Sequence, residues 1–173
     1  TKSKILAENI FHDLSDLNNT KFIILRLSNV FGNPLFKNCS CWKLFLNNIC
    51  KEAITNQTIT INSNPLITRN FISLEFFINK IEHIIKVNKN LDNYEIFNIT
   101  TEKMYTLQEI ANLVKKKIKH LLDLEIEIKY KNKKSEMIRN KYTSKINIDN
   151  KGDLFFEKEI ENLILYCRNK FGT

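Results

Sequence analysis

The sequence predicts an α/β fold built on a parallel sheet, and three observations lead there. Segments with apolar residues at helical spacing alternate along the chain with short runs of strand character. The run Phe22-Ile23-Ile24-Leu25 has no polar alternation, as in a strand covered on both faces of a parallel sheet. It then gives way to Ser28-Asn29-Val30-Phe31-Gly32-Asn33-Pro34, a stretch rich in small, polar and turn-forming residues. Ligands of open parallel sheets sit beyond the carboxyl ends of the strands, so Ser28 to Pro34 is a candidate site.

Leu6, Ile10, Leu14 and Leu17, joined by Ile5 and Phe11, predict a first helix over residues 1–19. Lys4 and Glu8 stand one turn apart and are expected to pair on its surface. A second helix is predicted over 41–53, with Trp42, Phe45, Leu46, Ile49, Cys50 and Ala53 on one face. Cys50 then reads as a core thiol. Thr58-Ile59-Thr60-Ile61-Asn62 alternates strictly and predicts a half-exposed strand. A strand over 67–72 follows the turn Ser63-Asn64-Pro65. Ser73 can cap the next helix, whose buried stripe is read as Phe77, Ile78, Ile81, Ile84 and Ile85, with Lys80 and Glu82 facing water. Residues 94–99 form a further strand. Thr106-Leu107-Gln108-Glu109 is a capping box opening a helix to about Leu122. Residues 125–130 alternate as a strand, 131–153 are polar and read mostly as loop, and 156–170 make the last helix.

At 173 residues the chain can build one domain with a proper core, and 3 Gly and 2 Pro leave no flexible or proline-rich linker to divide it. No run approaches the roughly 20 apolar residues of a membrane span, and no secretory signal pattern is visible. The net charge of +8 raises the question of a polyanionic partner. Lys is spread along the chain, dense only at 115–117 and 129–134, and no nucleic-acid motif accompanies it, so nucleic acid is set aside as partner. Cys39 and Cys41 are too close for paired zinc-ligand spacing, and His12, His83 and His120 are isolated, so no metal site is read. Reduced thiols in a cytoplasmic protein are the expectation. The chain opens on Thr1 rather than Met, which suggests a processed chain or a fragment.

Several segments, taken in order, resemble one family. Thr1-Lys2-Ser3-Lys4-Ile5-Leu6-Ala7-Glu8 resembles the helix that follows the catalytic Tyr of a Tyr-x-x-x-Lys motif, with Lys4 in the Lys position and the Tyr position immediately before Thr1. Arg26-Leu27-Ser28-Asn29-Val30-Phe31-Gly32 resembles an Arg-x-x-Asn-x-Tyr-Gly-Pro strand end, although Asn33 separates Gly32 from Pro34. Arg69-Asn70-Phe71-Ile72-Ser73-Leu74-Glu75 resembles Arg-Asp-Phe-Ile-x-Val-x-Asp, with Asn70 in place of Asp. Phe97-Asn98-Ile99 and Thr106 to Ala111 resemble a later strand and helix start. Together they resemble the NAD-dependent epimerase/dehydratase family, the extended short-chain dehydrogenase/reductases.

The resemblance implies the C-terminal part of a Rossmann-type parallel sheet plus a smaller α/β substrate-binding lobe. Residues 1–40 would end the nucleotide-binding domain, and 41–173 would form mainly the substrate lobe, with elements returning to the sheet. It implies NAD or NADP as cofactor, a nucleotide-sugar substrate, hydride transfer at a sugar hydroxyl or carbonyl, and a homodimer as a possible assembly of the parent. Lys4 would hold a positive charge near the phenol of the motif Tyr, lowering its pKa, and would bind the nicotinamide ribose. Leu27, Ser28 and Asn29 would lie beside the nicotinamide, and Asn29 would also touch the sugar. Arg69 would grip the diphosphate, which suits a guanidinium fork. Arg139, before Tyr142-Thr143-Ser144-Lys145, is a second candidate for that anion. The family's glycine-rich phosphate loop has no counterpart, since Gly32, Gly152 and Gly172 are too far apart to form one. The chain by itself is therefore expected neither to hold NAD firmly nor to transfer hydride. The alternative is a noncatalytic module of the same fold that binds an anion or a protein.

Overall fold

The computed structural model describes residues 2–17, 20–87, 91–131 and 152–172. Among these residues five α-helices and seven strands alternate, in the mixed α/β arrangement the sequence pattern indicates. They are α1 (Lys2–Leu17), β1 (Phe22–Leu27), β2 (Asn29–Phe31), α2 (Phe45–Asn56), β3 (Thr58–Ile61), β4 (Thr68–Ser73), α3 (Leu74–Val87), β5 (Tyr94–Ile99), β6 (Met104–Thr106), α4 (Leu107–Leu122), β7 (Glu127–Tyr130) and α5 (Gly152–Phe171).

Among the described residues the strands form three small sheets. β1 runs parallel to β5 in a register that pairs Phe22 with Tyr94 and Leu27 with Ile99. β2 runs parallel to β4, which is flanked on its other side by antiparallel β6. β3 runs parallel to β7, pairing Thr58 with Glu127 and Ile61 with Tyr130. The three-residue β6 is too short to show a period, and the sequence reading passed over it.

β4 is the shared wall of two cores. Its successive side chains point to opposite faces. Phe71 enters the larger core with Phe31, Leu46, Ile49, Leu107, Ile110 and Phe156. Ile72 enters the smaller one with Phe76, Ile84, Phe97 and Ile99. The strict alternation of β3 has its reason here, because Ile59 and Ile61 are fully buried while Thr58 and Thr60 are half-buried. α4 carries both halves of its capping box: the Thr106 hydroxyl accepts from Glu109 N–H at 3.1 Å, and the Glu109 carboxylate accepts from Thr106 N–H at 2.7 Å. Ser73 caps α3, its hydroxyl accepting from Phe76 N–H at 3.1 Å.

Several expectations are corrected. β1 is not covered on both faces: among the described residues Phe22 to Leu25 are half-buried and Arg26 and Leu27 exposed, while β5 pairs along one edge of the strand. α1 turns Ile5, Leu6, Ile10 and Leu17 outward, and only Ser15 is buried. Its attachments to the sheet include the Glu8–Arg26 ion pair, the Tyr94 hydroxyl donating to Glu8 O at 3.1 Å, Phe11 against Phe22 with ring centroids 5.2 Å apart, and His12 edge-on to Tyr94 at 4.9 Å. Glu8 is committed to Arg26, so the expected Lys4–Glu8 pair does not form.

The second helix also differs. Ser40–Lys43 is a separate 3-10 turn, and the extended Leu44 (φ −75°, ψ 138°) divides it from α2. Lys80, expected in water, is buried, with its ammonium 4.8 Å from the centre of the Phe76 ring; burial lowers its pKa. The buried stripe of α3 therefore runs Phe76, Lys80, Ile84, while Ile78 and Ile85 are exposed. The helix is rotated relative to its apolar pattern because a long lysine stem covers apolar surface as well as an isoleucine does. In the basic run 115–117, Lys117 is bound by Glu157 at 2.7 Å and Glu161 at 2.9 Å, which ties α4 to α5.

Candidate functional site

The site arises where the chain changes ladder. Ser28 donates its N–H to Ile99 O at 3.2 Å, the last bond holding this segment to β5. One residue later Asn29 stands opposite Phe71 of β4. Two parallel ladders part at Ser28, and the space between them opens at the carboxyl ends of β1 and β5. Such a change of neighbour is where open α/β sheets form crevices.

The crevice is a cavity of about 630 Å³, within the usual range for small-molecule sites. It is lined by residues 26–29 where β1 passes to β2, by residues 67–70 at the start of β4, and by Asn98 and Thr100 at the end of β5. Leu27, Ser28, Asn29 and Arg69, four of the residues singled out from the sequence, thus share one wall-to-wall space. Lys4 does not line it and is exposed on α1. Arg139 lies outside the described residues.

The two arginines of the lining differ in availability. Arg26 makes a forked contact to Glu8, Nε to Oε1 at 3.1 Å and Nη2 to Oε2 at 2.6 Å. That hydrogen bond holds the Glu8 carboxyl below its usual pKa and raises that of Arg26. Arg69 is half-buried, and its guanidinium has no carboxylate partner among the described residues. Among the described residues, Arg69 is thus the arginine of the lining left without a carboxylate, and a guanidinium is the group best shaped to take a carboxylate or phosphate in two parallel bonds.

Ser28 supplies a second unfilled group. Its hydroxyl oxygen is buried yet has no hydrogen-bond partner among the described residues. Buried polar atoms are nearly always satisfied, so an orphan at a cavity wall is suited to a ligand. Asn29 is partly committed, since its Nδ2 donates to Asn70 O at 2.8 Å.

Asn70 is the residue whose part sequence reasoning missed. It is buried, and its Nδ2 donates to Thr101 O at 2.7 Å, Thr101 Oγ1 at 3.0 Å and Lys103 O at 2.9 Å. Its Oδ1 accepts from Thr101 N–H at 3.1 Å. One side chain thus shapes the turn between β5 and β6 behind the cavity. The only signal in the sequence is an amide where the resembling motif has an acid. Asn98 carried a fainter signal, as a polar residue near the end of the strand beside β1.

No protein-family model matches the chain, and no curated protein sequence matches it. Solved structures do match by fold. A UDP-glucose 4-epimerase superposes with a TM-score of 0.74 at 15% identity, covering 98% of this chain and 55% of its own. The RMD protein of Pseudomonas aeruginosa, solved with NADPH, gives 0.73 at 10% identity, covering 97% and 54%. A UDP-N-acetylglucosamine 4-epimerase of Methanobrevibacter ruminantium M1, solved with UDP-N-acetylmuramic acid, gives 0.69 at 18% identity, covering 96% and 52%. The chain thus spans about half the length of these structures. What it shares with them at such identities is the Rossmann-like α/β fold.

Proposed function

We propose that the chain is the C-terminal portion of an NAD(P)-dependent epimerase or dehydratase acting on a nucleotide-sugar, and that the cavity takes the diphosphate and sugar of that substrate. The observation that carries the reading is the meeting, in one cavity, of the Arg69 guanidinium and the buried hydroxyl of Ser28, neither of which has a partner of its own among the described residues. The likeness in fold to sugar-nucleotide epimerases supports it. So do the half-covered β1 and the outward apolar face of α1, which suit the end of a nucleotide-binding domain over residues 1–40. Residues 41–173 would then be mainly the substrate lobe.

In this reading Arg69 binds the diphosphate and Asn29 the sugar. Arg139 is a further candidate for the anion. The residues present fit a dinucleotide at its nicotinamide end only: Leu27, Ser28 and Asn29 offer the wall, Lys4 stands outside it, and the sequence has no glycine-rich phosphate loop. A bound NAD(P) would supply hydride transfer at the sugar. The chain's own residues would hold and orient the substrate, and Lys4 would serve the cofactor ribose and the acid/base Tyr of the parent.

The test is titration of the ¹⁵N-labelled chain with UDP, UDP-glucose and inorganic pyrophosphate. Saturable amide shifts at Ser28, Asn29, Arg69 and Asn98 are expected with UDP and UDP-glucose. Arg69→Ala should weaken binding by about tenfold or more, the worth of a lost charge-assisted bond. Equal affinity for pyrophosphate would favour the noncatalytic anion-binding module. Absence of shifts in the cavity at millimolar UDP would rule the substrate assignment out.

A further inference from the structure

Two thiols that the cavity does not use lie on the segment that leads away from it. Cys39 and Cys41 flank Ser40 at the start of the 3-10 turn, with their Sγ atoms 2.7 Å apart and both side chains half-buried. Cys39 is extended (φ −143°, ψ 164°). An extended residue places side chains i and i+2 on the same side of the chain, and the turn that begins at Ser40 then brings the two sulfurs together.

We infer that Cys39 and Cys41 form a reversible intrachain disulfide, a redox-modification site whose co-reactant is a low-molecular-weight disulfide of the glutathione type. A shared metal ion fits the spacing less well. Two thiolates on one tetrahedral zinc, each at about 2.3 Å, stand roughly 3.8 Å apart, so the observed separation leaves no room for an ion. Among the described residues no group of three potential ligands completes such a site. A sulfur–sulfur bond of about 2.05 Å asks only for a small closing movement. The remaining cysteines do not compete, since Cys50 and Cys167 are fully buried and burial pushes their thiols up.

Burial, and then the Cys39 thiol, push Cys41 up to about 12, while the Asn47 amide and Lys51 pull the other way. One thiol of the pair, as its thiolate, attacks the external disulfide, forming a mixed disulfide and expelling one thiolate, which takes up the proton that the attacking thiol has lost. The neighbouring thiol then loses its proton and attacks the protein sulfur of the mixed disulfide, and the second external thiolate leaves and takes up that proton. Two protein thiols are oxidised, and one external disulfide is reduced to two thiols.

The pair is tied to the segment that follows β2. Asn47, whose amide lies against Cys41, donates Nδ2 to Gly32 O at 2.9 Å, just beyond the end of β2.

The test uses the 173-residue chain equilibrated in mixtures of reduced and oxidised glutathione, quenched with an alkylating agent and digested with trypsin. Cleavage after Lys37 and Lys43 releases one peptide, 38–43, that carries both thiols, so the bridge appears as loss of two hydrogens with no alkylation. The bridged-to-open ratio should rise about tenfold for each tenfold rise in oxidised glutathione at fixed reduced glutathione, and fall with the square of the reduced form. Trp42, the single tryptophan of the chain, is next to Cys41 and gives an independent readout. Its emission should be quenched on oxidation, recover with dithiothreitol, and stay constant in Cys39→Ser and in Cys41→Ser. Alkylation of both thiols at every ratio would overturn the inference. So would a stable glutathione adduct without the bridge, pairing of either thiol with Cys167, or quenching of Trp42 in Cys39→Ser as large as in the unmodified chain.

Discussion

Asn29 and Asn70 are joined across the gap between β2 and β4, the side-chain amide of Asn29 donating to the main-chain carbonyl of Asn70 at 2.8 Å. Asn70 in turn spends its own amide on Thr101 and Lys103. The cavity wall and the turn behind it are therefore one hydrogen-bonded unit. Replacing Asn70 by Ala strands several buried polar groups and should cost about 2–3 kcal/mol, read as a lower urea midpoint with unchanged slope. Asn70→Asp tests the donor role. A carboxylate cannot donate to three oxygens, so this variant should be destabilised at neutral pH and partly recover as the pH falls toward 4 and the acid gains a proton. Equal stability of Asn70→Asp and the parent chain at pH 7 would contradict the donor assignment.

The attachment of α1 should depend on pH. The folded pKa of Glu8 is depressed by its hydrogen bond to Arg26. Its contribution is thus fully present above the unfolded carboxylate value, about 4.3, and is lost as the pH falls through the lower folded value. Hydrogen exchange of α1 amides should quicken on that acidic limb, while α4 amides stay protected. Glu8→Gln should flatten this dependence, and a flat profile in the unmodified chain would exclude Glu8 as its source.

Gly32 is required where it stands. Its φ is +155°, and a Cβ there would lie 2.8 Å from Glu159 Oε1 and 2.9 Å from Leu74 Cβ. Glu159 can swing aside, but the Leu74 backbone cannot without moving the start of α3. Gly32→Ala should cost about 2 kcal/mol, seen as a Tm lower by roughly 4–8 °C.

Glu159 carries a penalty at neutral pH. Burial, and then the nearby Glu75, raise its pKa. A carboxyl whose folded pKa is raised destabilises the fold above its unfolded value, and the penalty fades as the pH drops through the folded value. Glu159→Gln should therefore stabilise at pH 7 by about 0.5 kcal/mol, a modest figure because the group is partly solvated. The gain should vanish near pH 4, which thermal melts at both pH values would show.

How far the sequence could be read varied with the range of the interaction involved. Thr106 and Glu109 satisfy each other within one turn, and the alternation of Thr58 to Ile61 reports a strand with one buried face. Both are local, and both were legible. The β1–β5 pairing, more than 70 residues apart in sequence, was not. Nor was the rotation of α3, where a lysine stem rather than Ile85 meets the core. Leu27, Ser28, Asn29 and Arg69 stood out as residue types at strand ends, but nothing local told that Glu8 would take Arg26 from across the sheet rather than pair with Lys4.

By itself the sequence determined the alternation of helices and strands, the capped helix starts and the small polar break at Ser28, because propensity, period and capping act over a few residues. Only the tertiary structure decided that β1 and β2 part onto different neighbours, that the break opens a cavity, and which arginine in it keeps its charge available. Those outcomes depend on which distant surfaces compete for the same strand edge and the same carboxylate, and a linear pattern does not carry that competition.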